Sequence, residues 1–220
     1  STLPGALAVS QVAVIGDYVY LFGGNYNADG NIMYRAPVSN PTLWVSTGTT
    51  LPTVMENSQL AIIGDFVYLF GGRSNNVTSN VIYRALLSNP TAWKNTGATL
   101  PAALQNSRRA IIGDYVYLFG GMNSGGSPVN VIYRAPLSDP LSWSVSGSTL
   151  AATLQNSSLA IIGDYVYLFA GHNGGANNNI YRAPITSNAS PTGNWALRPN
   201  APTGPWNYAS STNPTDITFL

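Results

Sequence analysis

One twelve-residue stretch, Ala110-Ile111-Ile112-Gly113-Asp114-Tyr115-Val116-Tyr117-Leu118-Phe119-Gly120-Gly121, occurs four times in this chain with small changes. The other copies begin at Ala13, Ala61 and Ala160, and only the last alters the ending, to Ala170-Gly171. The glycine before the Asp falls at Gly16, Gly64, Gly113 and Gly163, steps of 48, 49 and 50 residues. Such a period belongs to solenoids and propellers, where a unit cannot bury its apolar face alone and stacks on its neighbours. Within each copy the two apolar runs are rich in β-branched and aromatic residues, as in strands covered on both faces. The Gly-Asp between them supplies the positive φ angles of a two-residue hairpin turn.

The rest of each unit follows in fixed order. A Leu-Pro pair opens it (Leu3-Pro4, Leu51-Pro52, Leu100-Pro101, with Leu150-Ala151 in the fourth), and a polar link such as Leu104-Gln105-Asn106-Ser107 leads into the hairpin. After the Gly-Gly comes a loop of changing sequence, then a third strand ending in Tyr-Arg-Ala at Tyr34, Tyr83, Tyr133 and Tyr181. Pro41, Pro90 and Pro140 mark the turn that ends it, since proline fixes φ and cannot donate to a ladder. One Trp opens the fourth strand each time, at Trp44, Trp93, Trp143 and Trp195. The units run from about 2–49, 50–98, 99–148 and 149–198, and four short strands in each is the content of a propeller blade.

These residues resemble the kelch repeat. The resemblance rests on the Gly120-Gly121 pair, Tyr133 about a dozen residues on, Trp143 about ten further, and the Leu100-Pro101 type of pair before each unit. It spans about residues 2–198 and implies an all-β, kelch-like β-propeller of four blades, each of four antiparallel strands, in a single domain over 1–220. The chain departs from the family in placing Arg after the Tyr, where Asp is usual, and in having four units instead of six or seven. Residues 199–220 look like the start of a degenerate fifth unit: Asp216-Ile217-Thr218-Phe219-Leu220 has the character of Asp114-Tyr115-Val116-Tyr117-Leu118. The tail as closing segment, a longer propeller, or blades shared between chains are the three readings. Closure by the tail is favoured, because open strand edges invite aggregation.

Composition narrows the function. Charged residues are 8% of the chain and the net charge is +1, so the clustered Lys and Arg needed to neutralise phosphates are missing and nucleic acid is not an expected partner. There is no cysteine, which excludes disulfides and thiolate metal sites. No apolar run reaches the roughly 18 residues of a membrane-spanning helix, so membrane insertion is not expected. A surface of Asn, Ser, Thr, Gly and Tyr suits an exported protein or a virion surface. Asn76-Val77-Thr78, Asn156-Ser157-Ser158 and Asn188-Ala189-Ser190 match the N-glycosylation pattern and permit a secreted origin.

The recurring residues read first as scaffold. Asp17, Asp65, Asp114 and Asp164 start the second strand, and Arg35, Arg84, Arg134 and Arg182 sit near the end of the antiparallel third, which predicts four Asp–Arg pairs. The alternative is a ring of cations for an anionic ligand. Trp44, Trp93, Trp143 and Trp195 are expected between blades, with a sugar-stacking platform as the sharper alternative.

The residues that break the repeat are the candidate site. In a kelch-like blade the loop after Gly-Gly and the link into the unit open on one face. The position after Gly-Gly reads Asn25, Arg73, Met122 and His172, and the entry to the first strand reads Gln11, Gln59, Arg108 and Ser158, followed by Arg109 in the third unit. In the link, Glu56 stands where other units have Ala8, Gln105 and Gln155, beside the recurring Asn57, Asn106 and Asn156. Variable loops on a rigid frame are where binding sites concentrate. The competing explanation is ordinary drift between duplicated loops.

Chemistry is thin by comparison. One His and no Cys argue against a copper or zinc site, and no cofactor is expected. No Gly-x-Ser-x-Gly elbow is present, and of the carboxylates outside the repeat set only Glu56, with Asp29, lies on the candidate face. The leading expectation is non-enzymatic recognition of a glycan by an exported or virion-attached protein: planar amides bind hydroxyls and rings stack on sugar faces. A structural or protein-docking module of an oligomer or larger assembly is the second reading. A sugar isomerase or hydrolase using Glu56 with Arg108 or Arg109 is the third.

Overall fold

The computed structural model of the chain describes residues 2–24, 30–185 and 195–198. Asn25, Asp29, the sequon at Asn188 and the tail 199–220 lie outside the described residues. The described chain is all strand and loop, folded into four antiparallel four-stranded sheets that form a four-bladed β-propeller. Blade 1 holds β1 (Gln11–Ile15), β2 (Tyr18–Phe22), β3 (Ile32–Pro37) and β4 (Val45–Thr50). Blade 2 holds β5 (Gln59–Ile63), β6 (Phe66–Phe70), β9 (Val81–Leu86) and β10 (Asn89–Thr99), with a small hairpin of β7 (Arg73–Ser74) and β8 (Val77–Thr78) between β6 and β9. Blade 3 holds β11 (Arg108–Ile112), β12 (Tyr115–Phe119), β13 (Ile132–Pro136) and β14 (Ser144–Val145). Blade 4 holds β15 (Ser158–Ile162), β16 (Tyr165–Phe169), β17 (Ile180–Pro184) and β18 (Ala196–Arg198). The first strands of successive blades touch, β1 to β5, β5 to β11 and β11 to β15, so they form the inner edge.

The period-two alternation of strands gives each blade two apolar faces. Ala13, Ile15, Tyr20, Phe22 and Met33 of blade 1 form one core with Leu60, Val67, Leu69, Tyr83, Ala85 and Trp93 of blade 2, and Leu51 and Met55 of the intervening link complete it. The same sets recur between blades 2 and 3 and between blades 3 and 4. Each of three Trp meets the Phe of the preceding blade: Trp93 with Phe22, Trp143 with Phe70 and Trp195 with Phe119, all edge-on with centroids 4.9–5.7 Å apart. Such T-shaped pairs add about 0.5–1.5 kcal/mol to the burial itself.

Glycine is required where one blade meets the next link. At Gly71 (φ 58°) a Cβ would lie 2.5 Å from the Leu104 carbonyl oxygen, and at Gly23 and Gly120 it would collide with the carbonyls of Met55 and Leu154.

Two expectations change. In the hairpin turns only the glycine (Gly16, Gly64, Gly113, Gly163) takes a positive φ, and the Asp does not. That is the pattern of a two-residue turn with glycine first. The Asp–Arg pairs do not form either. The guanidiniums of Arg35, Arg84, Arg134 and Arg182 instead lie 4.2–4.8 Å over the rings of Tyr18, Phe66, Tyr115 and Tyr165, because antiparallel register brings each Arg diagonally across the first aromatic of the second strand. The four Asp tie down the third strand through their backbone: the carbonyls of Asp17, Asp65, Asp114 and Asp164 accept from Val38, Leu87, Leu137 and Ile185 N–H at 2.7–2.8 Å.

Candidate functional site

The link into a blade and the loop after its second strand are bound together by backbone, as antiparallel pairs of one residue each. Glu56 N–H donates to Arg73 O at 3.0 Å and Arg73 N–H donates back at 2.7 Å. Gln105 and Met122 repeat this at 3.0 and 2.7 Å, and Gln155 and His172 at 3.0 and 2.9 Å. Three identical backbone frames therefore carry three different side-chain pairs: Glu56 with Arg73, Gln105 with Met122, Gln155 with His172. Ala8 holds the equivalent link position in blade 1.

The polar groups on these frames are partly withdrawn from water. Glu56 is 5% exposed and Gln105 4% exposed. Arg73 Nη1 lies 3.8 Å from Glu56 Oε1, the one ion pair within 4.0 Å among the described residues. A carboxylate this buried needs such a counter-charge. Gln105 Nε2 donates to Thr78 Oγ1 at 2.8 Å, which ties the blade-3 link to the blade-2 hairpin, and the hydroxyls of Thr53 and Ser74 meet at 2.6 Å. His172 and Asn156 are exposed.

Asn57, Asn106 and Asn156 have a backbone role that no residue pattern announced. All three adopt left-handed φ of 54–57°, and the N–H of each donates to the carbonyl of its counterpart one blade back: Asn57 to Val9, Asn106 to Asn57, Asn156 to Asn106, at 3.0–3.4 Å. Asn tolerates this conformation better than other side-chain-bearing residues. The ladder ties successive links together, and the Asn106 side chain extends it by donating to Gln155 Oε1 at 3.2 Å.

Arg108 and Arg109 go to opposite faces of β11, since their partners on β12 are Phe119 and Leu118. Phe119 packs toward blade 4 and Leu118 toward blade 2. Arg108 Nε accordingly donates to the Ser157 carbonyl in the blade-4 link, and its Nη1 donates to Ser107 O at 3.4 Å. Burial pulls both guanidiniums below the usual arginine range. The structure thus gathers Glu56 with Arg73 and Asn106 with Gln155, while the Gln105 amide turns to Thr78 and the two neighbouring arginines point away from each other.

Among the described residues no three His, Cys, Asp or Glu gather as metal ligands. A cleft at the other end of the blade 2–3 junction is lined by Asp65, Phe66, Arg84, Ser138 and Asp139, remote along the strands from Glu56.

No protein-family model matches the chain. No curated protein matches it either. Among solved structures, that of YjhT superposes with a TM-score of 0.71 at 14% identity, over 92% of this chain and 68% of that one. The fold is a β-propeller. At that identity the likeness extends to the fold and no further.

Proposed function

We propose that this chain is a non-enzymatic recognition module, a kelch-type propeller that binds carbohydrate through the face carrying Glu56, Arg73, Gln105, Met122, Gln155 and His172. The observation that carries the reading is the set of three equivalent link–loop pairs: the backbone frame is held constant while the side chains on it differ. Binding residues are disproportionately carried by variable loops that a rigid scaffold positions. Gln105 and Gln155 on this face and the adjoining Asn57, Asn106 and Asn156 are amides, and each can donate and accept at once, as sugar hydroxyls require. A propeller fold is compatible with a binding or docking module, and an exported or virion-surface setting belongs to the same proposal.

The enzymatic alternative is weaker on geometry. Glu56 is engaged by Arg73, Arg108 is engaged by the Ser157 carbonyl, and among the described residues no carboxylate pairs with that arginine. Binding of the purified chain to a broad array of neutral and acidic glycans tests the proposal. Saturable binding that falls at least tenfold in Arg73→Ala or His172→Ala, with folding intact, is the expected result. A well-folded chain that binds no glycan would overturn it.

A further inference from the structure

The three internal blade junctions are alike, and the chain carries the two halves of a fourth. Among the described residues no blade packs on the forward face of blade 4: Ile162 is 56% exposed, whereas Ile15, Ile63 and Ile112 at the same position are 8%, 8% and 4% exposed. Phe169, which follows Phe22, Phe70 and Phe119 in register, has no Trp against it among the described residues. The rear face of blade 1 is the matching half. Trp44 alone of the four repeat Trp has no Phe partner among the described residues. Leu3 is 38% exposed, whereas Leu51, Leu100 and Leu150, its equivalents, are 1–4% exposed inside a junction. Val19 and Leu21 are half-buried where Val67, Leu69, Val116 and Leu118 are fully enclosed. The link ladder ends in the same way, since among the described residues no fourth bond of this kind reaches the Asn156 carbonyl.

We propose that a second copy of this chain occupies the forward face of blade 4, stacking its blade 1 there in the register of the internal junctions. Phe169 of one copy then receives Trp44 of the other, Leu3 fills the place of Leu51, and Val9 N–H continues the ladder to Asn156 O. The occupant is identified by continuity with an interface the molecule already builds three times, apolar on both sides and complementary by construction. The contact is head-to-tail, so it either closes into a ring or continues.

One residue sets its strength. Ala170 occupies the position of Gly23, Gly71 and Gly120 with φ 54° and carries the Cβ that those glycines lack. At the internal junctions that space holds the next link's carbonyl, 2.5 Å from the Cβ position in the case of Leu104. The incoming Leu7 carbonyl must sit farther out, which makes the junction between copies looser than those within a chain and its association reversible.

Sedimentation of the whole chain over a wide dilution series tests this with three variants. The wild type is expected to reach at least twice the mass of one chain. Ile162→Glu and Leu3→Glu, both at exposed positions, are each expected to stay single. Mixed together they are expected to form a two-chain species, because each retains the half the other lost. Ala170→Gly is expected to lower the dissociation constant severalfold. A wild type that stays single at all concentrations would overturn the proposal, and protection of Ile162 in that single chain would assign the cover to the chain itself. A mixture of the two variants that stays single, or an Ala170→Gly dissociation constant no lower than wild type, would overturn the head-to-tail register.

Discussion

Trp93 of blade 2 meets Phe22 of blade 1 edge-on at 5.1 Å, with the two ring planes 69° apart. This contact, formed again by Trp143 and Trp195, joins units that are separate in the sequence, so cohesion between blades depends on it. Removing a buried Trp from such a junction costs about 3–5 kcal/mol in lost burial and cavity formation. Trp93→Ala is therefore expected to lower the unfolding free energy by that order. Trp44→Ala, at a position without such a Phe contact, is expected to cost about 1 kcal/mol or less in dilute solution. Urea unfolding of the two variants gives the comparison, and equal losses would contradict it.

The glycine at each junction and its alanine replacement in blade 4 make a second contrast. Gly71→Ala combines a left-handed φ of 58° with a carbonyl 2.5 Å from the new Cβ, and is expected to destabilise by more than about 2 kcal/mol. Ala170→Gly relieves a left-handed alanine at an exposed position and is expected to stabilise the single chain by about 1 kcal/mol. Thermal unfolding of both variants at low concentration is the measurement.

Arg84 stacks 4.4 Å over Phe66 and makes no ion pair with Asp65. A double-mutant cycle between Arg84 and Phe66 is expected to return a coupling of about 0.5–1 kcal/mol. The cycle between Arg84 and Asp65 is expected to return almost none, since Asp65 acts through its carbonyl. A large coupling to Asp65 that fades with salt would restore the ion-pair reading.

Burial pushes the phenols of Tyr83 and Tyr133 above the usual tyrosine value, because desolvation favours the neutral form in the folded chain. A raised phenol contributes fully below its unfolded value of about 10 and loses that contribution as pH climbs through the folded value. This contribution is thus expected to be lost in the alkaline range, and the fall to be less steep there in Tyr133→Phe. Urea unfolding at rising pH, with absorbance to follow phenolate formation, checks both points.

The propeller was legible in the residues because its logic is local and repeated. Period-two apolar strands, a glycine at each turn and one Trp per unit leave few architectures that bury both faces of every sheet. The partners of the repeat residues were less legible. Asp65 and Phe66 are neighbours in the sequence, and only the diagonal of the antiparallel pair, with Arg84 opposite Tyr68, places the guanidinium over Phe66. Asn57, Asn106 and Asn156 recur visibly, yet their left-handed backbone and inter-blade bonds arise from how the links stack. Arg108 and Arg109 look like one basic pair in the sequence, but strand alternation sends them into different junctions. On the candidate face, the meeting of Glu56 with Arg73 follows from pairing the link with the loop, 17 residues apart in the chain.

Hydrogen–deuterium exchange with and without a saturating amount of the strongest-binding array glycan tests the central claim most directly. The account predicts protection in the links carrying Glu56, Gln105 and Gln155 and in the loops carrying Arg73, Met122 and His172. Protection confined to the opposite end of the blades, around Asp65 and Asp139, would contradict it.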